Sequence, residues 1–138
     1  MGSVVRSIRY ILIVALGLLV SSGCGGDGRL TTRGRIVKGG TPFTVPEGEH
    51  VRVTFFPVTA DNKPPLNTYI ATYSRADGTF RASGPDGKGV LPGKYRIAVE
   101  HERKRKDLLK GAFDGDRSPF VFEVTSGTKE LVLDLDTK

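Results

Sequence analysis

The chain has 138 residues, 21 Lys and Arg against 15 Asp and Glu, and a formal net charge of +6, which leaves room for one domain with one core. Its 18 Gly and 8 Pro beside one Met and no Trp speak for many turns and short strands and against long helices. A single Cys excludes an intrachain disulfide, and so modest a positive charge falls short of a nucleic-acid footprint, so no nucleic-acid partner is expected.

The N-terminus reads as an export leader. Arg6 and Arg9 flank the eleven-residue apolar run Tyr10 to Val20, which is shorter than the roughly 20 residues a membrane-spanning helix needs but suits the apolar region of a signal peptide. The small residues Ser21, Ser22 and Gly23 precede Cys24. This order resembles a bacterial lipoprotein signal, in which the cysteine is acylated and becomes residue one; the usual Leu three positions before it is replaced by Ser21, with Leu19 two residues further back. An ordinary signal peptide, leaving Cys24 as a free thiol, is the other reading. Two or more acyl chains hold a protein on a membrane without a transmembrane helix, because each buried CH₂ contributes about 0.8 kcal/mol. The expected organisation is therefore a signal helix over residues 1–23, a flexible linker over 24–33 carrying acylated Cys24, and a domain over 34–138. Loss of the leader leaves 19 basic against 15 acidic residues.

From Arg33 onward, short runs with a two-residue period alternate with Gly, Pro, Asp and Asn. GRIVKGG offers a first strand, and HVRVTFFPV a second with Val51, Val53 and Phe55 on one face. After the loop TADNKPPLN come TYIATYS and GTFRAS, joined by a turn in which Gly78 supplies positive φ. A fifth strand starts near Tyr95 and puts Ile97 and Val99 on the face of Tyr95. SPFVFEV and ELVLDLD, with Ser126-Gly127 between them, read as a closing hairpin. These runs predict an all-β domain of about seven strands folded as a two-sheet sandwich.

The motifs at Gly34 to Val37, Asp77 to Phe80 and Pro92 to Tyr95 resemble those of carboxypeptidase regulatory-like and transthyretin-like domains. The likeness extends from Gly34 to Leu135 and is similar to that of small lipoproteins of planctomycete-type bacteria. It implies a seven-stranded Greek-key β-sandwich. The hydrolase that shares the transthyretin-like fold ends in Tyr-Arg-Gly-Ser; this chain ends in LVLDLDTK, so the resemblance implies no such activity.

No catalytic set, cofactor motif or metal site emerges. His50 and His101 are flanked by Glu49, Glu100 and Glu102, but residues i and i+2 of a strand share a face that the residue between them does not, which predicts solvated charged strand ends rather than converging ligands. DGDRS, Asp114 to Ser118, lacks the closing Glu of a calcium loop. The run HERKRKDLLK concentrates Arg103, Lys104, Arg105, Lys106 and Lys110 in what reads as a solvated loop and is the candidate interaction loop. The sequence thus predicts a non-enzymatic lipoprotein of the cell envelope, held on a membrane through its lipid and facing the periplasm or exterior. Its sandwich would act as a structural or protein-interaction module. The other function it admits is a secreted or surface module that binds carbohydrate or peptide through the loops TADNKPPLNT and HERKRKDLLKGAFDGDRS at one end of the sandwich.

Overall fold

A computed structural model of the chain describes residues 27–61 and 67–137. The leader, its expected helix, Cys24 and the first part of the expected linker lie outside these residues. The described residues are all-β: β1 (Thr32–Lys38), β2 (Thr41–Pro42), β3 (His50–Pro57), β4 (Tyr69–Tyr73), β5 (Thr79–Ala82), β6 (Gly93–Arg103), β7 (Lys106–Asp107), β8 (Val121–Val124) and β9 (Leu131–Asp134). The sequence predicts about seven strands; the two-residue arms β2 and β7 bring the number to nine. Among the described residues no helix is long and apolar enough to cross a membrane.

The strands share one sheet in the order β2-β1-β5-β4-β3-β6-β7, with β8 also on β6 and β9 also on β1. Strand β4 carries the path from one half to the other. Its Tyr69, Ile70 and Ala71 pair with β3, while Thr72 and Tyr73 pair with β5. The two halves close over one core: Phe55 of β3 meets Phe80 of β5 edge to face, with centroids 6.1 Å apart, although β4 separates those strands along the path.

The residues facing that core are those the two-residue period selects. Val53, Phe55, Ile97, Val99, Ile36 and Leu133 are fully buried, and each such side chain contributes about 1.5 to 3 kcal/mol by leaving water. Tyr95 enters the same core and donates its hydroxyl to the Leu91 carbonyl at 2.5 Å, so the Leu91-Pro92-Gly93 corner is pinned to the strand that follows it. Burial, with the neighbouring Tyr69, pushes the Tyr95 phenol up to about 12. Gly78 has φ +74 and lies so close to the Phe43 and Ile36 carbonyls that a Cβ would collide with them.

Two expectations are corrected. The last two strands do not form a hairpin. Strand β8 pairs antiparallel with β6, whereas β9 crosses to the other half and pairs parallel with β1, Gly34 facing Leu131 and Ile36 facing Leu133. Ser126-Gly127 does make a turn, held by the Thr128 N–H on the Thr125 carbonyl at 3.0 Å, but it redirects the chain. Beside β1, Leu131 and Leu133 are buried in the common core. The ordered sheet also begins before residue 34: Leu30 exchanges two backbone hydrogen bonds of 2.8 Å with Val90, and Thr32 and Arg33 pair with Ala82 and Arg81.

Candidate functional site at the basic hairpin

The residues of the candidate loop lie on a tight hairpin. Arg103 ends β6 and faces Lys106 of β7, and Glu102 faces Asp107. The two residues between the strands, Lys104 and Arg105, have φ of 49° and 64°. Positive φ at both central positions is the pattern of a type I′ turn, whose twist matches the strands it joins and which ordinarily takes Asn-Gly. Holding two long side chains in the left-handed region costs on the order of 1 kcal/mol each, and the cross-strand pair of like charges adds to that cost. The expected solvated loop is thus a hairpin followed by a run of turns, and only Lys110 of the five cations lies beyond it.

Two groups behind the tip hold it in place. Asp107 accepts the backbone N–H of His101 and of Leu109 on Oδ1, both at 3.0 Å, and that of Gly111 on Oδ2 at 2.8 Å. This clasp brings Lys110, itself at φ 53°, around to the end of the hairpin. Burial pulls the Asp107 carboxyl up, but the N–H groups of Gly111, Leu109 and His101 together outweigh it and hold the group below the ordinary carboxylate range. A carboxylate with a lowered folded-state pKa lends stability that is present above its unfolded pKa and fades as pH falls through the folded one. The hairpin amides of Asp107→Asn should therefore exchange faster than wild type at neutral pH. That difference should shrink as acid protonates the wild-type carboxylate below the ordinary value of 3.8, which hydrogen exchange across pH measures.

The second group corrects the expectation of solvated strand ends for His101 and Glu49, while His50 is exposed as expected. His101 Nε2 lies 2.5 Å from Glu49 Oε2, and the two side chains are only 13% and 10% exposed. Arg103 Nη1 approaches the other carboxylate oxygen at 3.6 Å. The imidazole also packs edge to face on Phe43, centroids 5.3 Å apart. Phe43 is itself fixed: its N–H donates to the Ile36 carbonyl at 2.8 Å, and its carbonyl accepts the Tyr73 hydroxyl at 2.5 Å. Glu100 and Glu102 stay off the histidine, as alternation requires. What alternation along one strand could not reveal is the carboxylate of Glu49, delivered by the neighbouring strand because Val51 registers with His101.

The arrangement is electrostatic. Arg103 is engaged with Glu49, while Lys104, Arg105 and Lys106 have no acidic partner among the described residues. Asp114 to Ser118 is a loop tied to the fold: Ser118 is buried and donates its hydroxyl to the Ile97 carbonyl at 2.5 Å, and Asp114 accepts the N–H groups of Asp116 and Arg117. Among the described residues no cluster of three or more His, Cys, Asp or Glu is disposed to hold a metal ion.

Of the two loops expected to share one end, the hairpin tip lies at the other end of β6 from the loop after β3, while the later part of the second loop returns toward that first loop, Gly115 lying against the Phe56 ring and the Asp116 carbonyl accepting Arg96 Nη1 at 3.3 Å. Residue 58 follows Pro57, which faces Tyr95 near the start of β6, whereas Arg103 to Lys106 close the far end of that strand. Comparison with protein-family models, with curated proteins and with solved structures returns no match to this chain.

Proposed function

We propose that the chain is a non-enzymatic lipoprotein of the cell envelope, anchored through acylated Cys24. Its domain, read as a Greek-key sandwich of the carboxypeptidase regulatory-like and transthyretin-like type, presents the basic hairpin to an acidic partner protein. The pinned corner at Leu91 and Tyr95 and the two halves closed on one core support the sandwich reading.

One observation carries the functional reading: the chain enters the sheet at the end opposite the hairpin. Leu30 pairs with Val90, just before β6 begins, and the hairpin closes that strand eleven residues on, which at about 3.3 Å per residue is roughly 35 Å away. Cys24 is six residues before Leu30. A domain standing on that tether turns Lys104 and Arg105 away from the lipid surface. Their field, screened over about 8 to 10 Å, then acts on a partner and not on the anchoring membrane.

Cys24→Ser should move the protein from the membrane to the soluble fraction, read by fractionation, with the intact mass of the wild type beginning at Cys24 and carrying acyl groups. The released variant should leave vesicles of anionic phospholipid unbound. Retention of the variant on membranes overturns the anchor, and its binding to such vesicles overturns the outward hairpin.

A further inference from the structure

We infer a second binding site, unrelated to the hairpin: an oxyanion cleft on the outer face of the β4-β5-β1 half. Arg33 and Arg81 stand directly opposite each other across β1 and β5, and both are exposed. Thr72 of β4 faces Arg81 from the other side. These residues, with Ser74, Ser83 and the ring of Tyr73, line a cleft of about 680 Å³. Like charges set directly opposite in antiparallel strands repel at Cβ separations near 5 Å, so the pair costs stability as it stands. An anion between the guanidiniums reverses the sign of that term.

The neighbouring charges do not already serve this purpose. Glu130, the acidic residue of the cleft, is engaged by Arg35 at 3.4 Å, and neither Arg33 nor Arg81 has an acidic partner or a side-chain hydrogen bond among the described residues. The hydroxyls of Thr72 and Ser83 are likewise uncommitted there. Two forked guanidiniums fit a carboxylate or a phosphate group by paired hydrogen bonds, and uncommitted hydroxyls beside them suit a hydroxylated body. The ligand class is a sugar-like molecule bearing one such oxyanion.

The test uses the full chain and the arginine side-chain N–H signals in NMR, titrated with a hexose phosphate, with glucuronate and with inorganic phosphate. The hexose phosphate or glucuronate should shift the signals of Arg33 and Arg81, and whichever binds more tightly identifies the source of the oxyanion. Arg33→Gln and Arg81→Gln should each weaken that binding about tenfold or more, the scale of one lost charge-assisted hydrogen bond. Lys104→Gln, at the far hairpin, should leave it unchanged, which separates this site from the proposed hairpin function. Without ligand, Arg81→Gln should unfold at a higher temperature than wild type, an effect that a purely structural role for the arginine would reverse. Three results overturn the proposal: no response to any of the three compounds, binding by the two glutamine variants as tight as that of the wild type, or inorganic phosphate binding as tightly as the sugar ligands.

Discussion

Gly34→Ala should be a severely damaging single-methyl addition, costing about 3 kcal/mol or more of stability. Gly34 lies inside β1 with β5 on one edge and β9 on the other, pairing with Phe80 and Leu131. A Cβ built there falls into the Phe80 ring and 2.6 Å from the Leu131 carbonyl oxygen. The ring is held by Phe55 across the core, and the carbonyl cannot retreat without opening the parallel β1-β9 ladder. Relief at one contact therefore disrupts the other. Gly40→Ala is the comparison: its surroundings are open but its φ is +81, so it should cost only about 1 kcal/mol, the penalty of the left-handed region. Urea unfolding of the two variants decides the matter. A loss below that of Gly40→Ala would mean that β1 is not clamped between β5 and β9.

That prediction marks where the sequence was informative and where it was silent. Strands β3 and β6 were legible because Val53, Phe55, Tyr95, Ile97 and Val99 alternate with polar neighbours, and one face of each meets the core. The turn at Gly78 was legible from local chemistry. The destination of the final strand was not: Ser126-Gly127 signals a change of direction, while the choice between β8 and the edge of β1 depends on surfaces contributed by residues almost 100 positions away. The hairpin at Lys104-Arg105 was hidden for a different reason. Its two central residues are not the Asn-Gly type that signals such a turn, and the turn is backed by the clasp of Asp107 and by the pairing of Arg103 with Lys106. The five cations were legible as a cluster from their spacing, but not that four of them would share a two-residue turn and its flanks.

The Glu49-His101 pair lies on the same divide, since each residue reads as an exposed strand end until the register of β3 on β6 joins them. His101→Leu should preserve contact with Phe43 while stripping the carboxylate of its imidazole partner, leaving Arg103 at 3.6 Å as its neighbour. Breaking a buried pair by removing one member costs about 3 to 5 kcal/mol, because the other stays out of water uncompensated; Arg103 should bring the loss to the lower end of that range. Replacing both, as His101→Leu with Glu49→Leu, removes the stranded group as well. Stability should then recover most of the way, since apolar replacement of both partners is close to neutral. The double-mutant cycle in urea should accordingly give a large coupling energy, and two additive losses would contradict the pairing. The functional consequence separates from stability in the double variant. Its core should be restored, but Arg103 has lost its acidic partner, so the hairpin amides from Arg103 to Asp107 should exchange faster than wild type. Unchanged exchange there would show that the Asp107 clasp alone fixes the hairpin and that the buried pair serves only the fold.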